Sequence, residues 1–195
     1  MDRISPDLEK NRQWVEETFQ NCDDILHRQV FLNNGKDEGI LVYVEVAVSN
    51  LMLEEHVIGL SDVQPLKSYE EGKAALLAGN GLLFLDGDTN CYKISSKGYP
   101  GLGGKKAENE KVIRGSQEAF TESEKINVAL IRKRLRDSRM KVEEQTVGVR
   151  SHTMTALVYM EDLIYQGLLT TMKQQLQRYE IDGILDSGML EQLSE

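Results

Sequence analysis

Leu41-Val42-Tyr43-Val44-Glu45 and Leu157-Val158-Tyr159-Met160-Glu161 read as one strand written twice, 116 positions apart. Displaced by that offset, the whole stretch Cys22–Glu45 falls on Ser138–Glu161 without a gap. Gln29 then meets Gln145, Leu26 meets Val142, Asn11 meets Asn127, Val15 meets Ile131 and Ser5 meets Thr121. Apolar strands draw on few residue types, so the pentapeptide alone carries little. A shared offset for a cap, a helix face and a hairpin in the same order carries more. The chain therefore reads as two related α/β subdomains in tandem, with a cleft expected between them.

Working outward, Ser5-Pro6-Asp7 is a helix start: Ser5 to cap, Pro6 at the first helical position and Asp7 facing the positive end. Trp14, Val15 and Phe19 give that helix its apolar side. Asp24–Leu32 is expected as a strand, Asn33-Asn34-Gly35 as a turn, and Ile40–Val48 as a strand buried on both faces. Leu51–Ile58 has a helical pattern that Gly59 ends. Ser68 with Glu71 forms a capping box, and Gly79 suits the left-handed C-terminal position. Leu82–Leu85 and Cys91–Ser95 flank Asp86-Gly87 as a hairpin.

Gly98, Gly101, Gly103 and Gly104, mixed with lysines, mark a linker. The expected limits are thus 1–96 for the first subdomain, 97–112 for the linker and 113–195 for the second. The second opens at Thr121-x-x-Glu124, another capping box, and its helix carries Val128, Ile131 and Leu135. Met140–Val147 and Thr153–Glu161 are strands about a turn at Gly148. A helix through Leu168, Leu169, Met172 and Leu176 follows, then a short strand or turn at Ile181–Leu185. The counterpart of Ser68–Ser95 would fall beyond Glu195, so the second subdomain reads as incomplete and the chain as a piece of a longer protein.

Composition narrows the function. The 195 residues are 40% hydrophobic and 28% charged, as in ordinary globular domains. A net charge of -9 argues against nucleic acid and anionic lipid as partners. Cys22 and Cys91 lie far apart and are expected as reduced, partly buried thiols. Met1 leads directly into Asp2, Arg3 and a helix start, so no signal peptide is expected. No apolar run approaches the ~20 residues that span a bilayer.

The chemical motifs mostly fail on inspection. Asp86-x-Asp88-x-Asn90 opens like a calcium loop, but Cys91 and Lys97 stand where glycine and a bidentate glutamate are needed. Gly98–Lys105 has Tyr99 at the first Walker glycine, and a dinucleotide pattern begun at Gly101 ends on Lys106. His27, His56 and His152 share no metal-ligand spacing. Neither a metal nor a cofactor is expected. Glu45 and Glu161 are the acids repeated at one place in both copies, each ending an apolar strand where α/β proteins commonly set ligand-binding groups. Arg132–Arg136 reads as a solvated helix end or as a face for an acidic partner.

Several stretches resemble the A subunits of spore germination receptors, the GerA family of endospore-forming bacteria. Ile113-Arg114-Gly115-Ser116-Gln117-Glu118-Ala119-Phe120 is similar to the family's Arg-Gly-Pro-Arg-Glu-Gly-Phe segment, departing at Ser116, Gln117 and Ala119. Asn127–Leu135 is similar to the helix that follows it. Ile181-Asp182-Gly183-Ile184-Leu185-Asp186-Ser187-Gly188 matches a further family stretch, and Ala74–Gly79 and Leu83–Gly87 also fit. The likeness covers residues 22 to 195.

The resemblance implies the soluble N-terminal region of a receptor subunit, made of two subdomains and followed by a membrane domain. It implies assembly with B and C subunits in the spore inner membrane, with this region on the spore-core side. It places a nutrient germinant in the cleft between the subdomains. Arg114 or Arg132 is expected to hold a carboxylate and Glu45, Glu161 or Glu118 an amino group, with Asn127 beside them. The alternative is an assembly module whose basic helix end meets an acidic neighbour and which binds no small molecule. An enzyme is not expected: no nucleophile stands with its base. The open sheet edge of an incomplete subdomain also admits a homo-oligomer. Nothing in the sequence selects the germinant.

Overall fold

The structure is a computed structural model of the chain and describes residues 3–46, 63–95, 119–178, 180–184 and 187–194. The expected helix Leu51–Ile58, the linker 97–112, Arg114 and Glu118 lie outside the described residues. By packing, the chain divides into one compact unit ending at Ser138 and another beginning at Arg139.

In the first unit, helix α1 spans Leu8–Thr18 and buries Leu8, Asn11 and Val15 along one stripe. Its cap is Asp7, whose carboxylate accepts the Glu9 N–H at 3.0 Å, while Ser5 Oγ accepts the Asp7 N–H. The helix thus starts after Asp7, and Pro6 stands outside it. The Trp14 ring stacks on Tyr69 with centroids 4.5 Å apart, meets Phe19 edgewise at 6.1 Å and lies tilted against Phe84 at 6.1 Å.

Strands β1 (Ile25–Leu32), β2 (Asp37–Val44), β3 (Val63–Leu66), β4 (Gly81–Leu85) and β5 (Cys91–Ile94) form one sheet in the order β1-β2-β4-β5-β3. Every pairing in it is antiparallel. Ile40, Leu41, Val42 and Val44 of β2 and Leu82, Leu83 and Phe84 of β4 are buried, so these two strands are covered on both faces, as their unbroken apolar runs predict. Helix α2 (Tyr69–Leu77) begins at Ser68, whose hydroxyl accepts the Glu71 N–H, and Gly79 adopts φ +90° just past its end. Both features were legible. The Glu71 carboxylate, though, takes the Lys67 N–H rather than closing a full capping box on Ser68.

Helix α3 (Glu124–Arg134) packs within this first unit, contributing Ala129 to its core. Ser123 is its N-cap position and makes no side-chain cap bond, so the expected capping box from Thr121 is corrected. Thr121 Oγ1 instead accepts the Ser123 N–H.

The second unit is a hairpin of β6 (Met140–Val147) and β7 (Thr153–Met160), with helices α4 (Gln166–Arg178) and α5 (Ser187–Ser194). Gly148 turns the hairpin at φ +83°. Residues 181–184 clasp that turn: Val149 N–H donates to Ile181 O at 2.8 Å, and Arg150 and Ser151 N–H both donate to Asp182 O.

The 116-residue offset carries the limits of α1 onto those of α3 and the limits of β2 onto those of β7. Asn11 Nδ2 donates to Ser5 O at 2.9 Å, and Asn127 Nδ2 donates to Thr121 O at 2.8 Å, the same bond at the same offset. The first strand breaks the rule. Ile25 faces Val44, which the offset turns into Lys141 facing Met160, whereas Met160 faces Met140. The gapless correspondence of Cys22–Glu45 with Ser138–Glu161 is therefore corrected by one residue in β6. The subdomain limits 1–96, 97–112 and 113–195 describe a repeat, and the packing boundary at residue 138 describes contacts; the repeat is our proposal.

Candidate functional site

Helix α3 brings chemistry to the first unit. Its buried residues are Val128, Ala129, Leu130 and Arg132. The Arg132 side chain is 0% exposed, with Nε 2.9 Å from Asp24 Oδ2, Nη2 2.7 Å from Asp24 Oδ1 and Nη1 donating to Asp137 O at 3.2 Å. This is the two-pronged geometry in which arginine binds a carboxylate most strongly. Burial pulls the guanidinium's pKa down, but the hydrogen bonds and charge of Asp24, with Cys22 beside them, outweigh it and raise the pKa above its ordinary value. The expected role of Arg132 as a germinant anchor remains a proposal, and its donors are engaged inside the fold.

Asp24 also accepts the Glu45 N–H on its backbone carbonyl at 2.9 Å, so the ion pair sits at the open end of the β1–β2 hairpin. Glu45 Oε1 is 2.7 Å from Lys125 Nζ, with the two side chains 33% and 41% exposed. Two cations of α3, seven residues apart, thus hold two acids at one hairpin end. The exposed pair contributes little on its own, whereas breaking the enclosed one is costly.

Asn127 uses its amide locally, with Oδ1 accepting the Thr121 N–H at 2.7 Å. Glu161 belongs to the second unit, where its N–H donates to Arg139 O at 2.8 Å, as Glu45 does to Asp24. Its carboxylate is 3.4 Å from the ammonium of Lys141, a lysine only 4% exposed. The strands that Glu45 and Glu161 follow are antiparallel, so the ligand crevice found at the carboxyl ends of a parallel sheet is absent from these sheets among the described residues.

Sequence reasoning missed two features. Along α3 lie adjoining hollows of about 320 Å³ and 470 Å³. Phe120, Leu130, Ile131, Arg134 and Leu135 line the first; Phe120, Thr121, Glu122, Ser123 and Ile126 line the second. In the second unit, Glu143 accepts from Tyr159 Oη and Lys173 Nζ. Burial raises the Glu143 pKa, yet Lys173 and the Tyr159 hydroxyl outweigh it and hold the carboxyl below its usual range. The nearby alternation Lys141, Glu143, Gln145 was the available signal for a polar strand face. Gln145 Nε2 is buried without a hydrogen-bond partner among the described residues.

Cys22 and Cys91 are free and buried. Among the described residues no group of histidine, cysteine and acid could hold a metal ion, and no helix is long and apolar enough to cross a membrane. The fold defines a mixed α/β domain built on helix-flanked antiparallel sheet. The family model of the Bacillus/Clostridium GerA spore germination protein matches residues 13–195, and the chain belongs to that family.

Among its relatives in Bacillus subtilis (strain 168), the uncharacterized membrane protein YfkQ is 28% identical over 214 residues, covering 98% of this chain and 42% of that protein. Spore germination protein KA is 26% identical over 218 residues, covering 98% and 40%. The chain thus spans about two fifths of the length of the curated relatives it matches. The crystal structure of the N-terminal domain of the A subunit of the Bacillus megaterium spore germinant receptor GerK3 superposes with a TM-score of 0.74 at 21% identity. The match covers 100% of this chain and 80% of that one, and establishes the shared fold.

Proposed function

We propose that this chain is the N-terminal region of a germinant receptor A subunit acting in spore germination. The observation that carries the reading is the family match through residues 13–195. In the finer form of the proposal, a small nutrient binds between the two repeats read in the sequence, and its binding is passed to a membrane domain that assembles with B and C subunits in the spore inner membrane. The region then faces the spore core. Arg114, Glu118, Asn127, Arg132, Glu45 and Glu161 are the proposed contacts. The half-exposed Lys125–Glu45 pair supports a ligand-responsive role for Glu45, because a ligand amine can exchange for Lys125 at little cost.

The test is a ¹⁵N-HSQC titration of the chain against amino acids, sugars and nucleosides. Saturable shifts that include Glu45 and Lys125, produced by one chemical class, are expected. A flat response on a folded sample overturns the small-molecule part and leaves the assembly reading. That second reading is favoured by one observation, the apolar hollow beside the basic end of α3.

A further inference from the structure

Residues of α3 and its flanks line a groove, with the buried Leu130 among them. Phe120 belongs to both hollows, so they adjoin along the helix, with Ile126 in one and Leu130, Ile131 and Leu135 in the other. Phe120 is 68% exposed and Leu135 46% exposed. Two large apolar groups beside one concavity form a patch, unlike the scattered exposed apolar residues of any surface.

The chain is acidic, yet the end of α3 beside the first hollow is rich in cations, while Glu122 lines the second. Arg134 lines the 320 Å³ hollow, and Lys133 and Arg136 flank it in sequence. The whole chain carries -9. Arg132 leaves the basic run because Asp24 neutralises it inside the fold. Arg134 and Arg136 are exposed, so an ion pair that either makes within the molecule is weak and can exchange for a partner's carboxylate. An aromatic ring, aliphatic side chains and an arginine around one hollow is the composition of an interface core.

We propose that this groove docks an amphipathic helical segment of another protein, its apolar anchors entering beside Phe120 and its aspartates or glutamates meeting Arg134 and Arg136. The inference deepens the assembly reading and is independent of whether a nutrient binds. Shape supplies the anchor sites and charge supplies the choice of partner.

The probe is a fluorescein-labelled, helix-forming peptide of about 18 residues with leucines at helical spacing and glutamates between them. Its twin carries lysines instead. Anisotropy on the 195-residue chain is expected to show the Glu peptide binding at least ~10-fold more tightly than the Lys peptide, with affinity falling as salt rises. Arg134→Glu and Leu135→Glu should each weaken it at least ~10-fold. Phe31→Ser, at an exposed apolar residue of β1, should leave it unchanged. Circular dichroism identifies any variant that unfolds, and Arg134→Glu, at an exposed position, keeps the test open if Leu135→Glu does. Failure of the Glu peptide to bind, equal binding of both peptides, or indifference to Arg134→Glu overturns the proposal. So does preferential uptake of the chain by phosphatidylglycerol vesicles in competition with the peptide, which would make the groove a lipid surface.

Discussion

Arg132 stands in a run with Lys133 and Arg134 that reads as a solvated helix end, yet its guanidinium is wholly enclosed against Asp24. The signal was present in the spacing. Arg132 lies four residues after Val128 and three after Ala129, on the stripe the helix buries. Removing one partner of such a pair strands a buried charge, so Arg132→Met should lower stability by about 3–5 kcal/mol. The double variant Arg132→Met with Asp24→Leu should recover much of that loss, as urea melts will measure. Additive losses in the two single variants would show that the charges do not act as a pair. Arg132→Lys should fail to rescue, since an ammonium cannot match both carboxylate oxygens.

Cys91 gives a second prediction at this scale. Burial pushes its thiol up to about 12 from the ordinary 9.0. The unfolded chain therefore releases this proton first as pH rises. Stability from this group is complete below pH 9.0 and is lost progressively between 9.0 and about 12. The loss is on the order of 1 kcal/mol per pH unit. Melts at pH 8 and pH 10 should differ more for the native chain than for Cys91→Ala. An equal alkaline loss in both would assign the effect to other groups.

At the level of elements, legibility followed the strength of the local pattern. β6 has the limits read from its residues, Met140–Val147, because turn chemistry bounds it on both sides. β3 escaped notice because Val63-Gln64-Pro65-Leu66 contains a proline, which cannot donate to a ladder. The topology explains its tolerance, since among the described residues β3 is an edge strand paired to β5 alone. α5 was not anticipated, because its eight residues are shorter than the span over which a helical period can be told from chance. The enclosed ion pair joins residues 108 apart, and the groove needs Phe120 brought back against α3; no local pattern encodes either.

Gly39 is the element-scale residue whose reason appears only in the sheet. A Cβ there would lie 2.6 Å from the backbone oxygen of Phe84 and 3.0 Å from Leu85 Cδ2. The oxygen belongs to the neighbouring strand and cannot turn aside, so Gly39→Ala must push β2 and β4 apart. We expect a loss of about 1–3 kcal/mol, read as a lower urea midpoint with unchanged slope. Gly87→Ala is the informative contrast, because its Cβ would meet nothing within 4 Å and its cost comes only from φ +78°. A Gly39→Ala midpoint equal to that of the native chain would show that the sheet yields at this point without cost.

For the whole molecule the two units differ in what they enclose. The first has a five-stranded sheet with Ile40, Leu41, Val42, Leu82, Leu83 and Phe84 at its centre, all 0–1% exposed. The second rests on a two-stranded hairpin, and each β7 residue from Thr153 to Met160 is at least partly exposed. A hairpin gains independent stability only from what packs on it, here α4 and the clasp at 181–184. The enclosed Lys141 and the orphaned Gln145 amide lower that gain further. Native-state hydrogen exchange should therefore separate the units. Amides of β2 and β4 should exchange only through global unfolding, while those of β6 and β7 should open earlier, with a smaller dependence on denaturant. Gly39→Ala should then speed exchange in β4 and leave β7 unmoved. If β7 amides outlast or match those of β4, or respond equally to Gly39→Ala, the molecule unfolds as one cooperative body and the division at residue 138 has no energetic meaning.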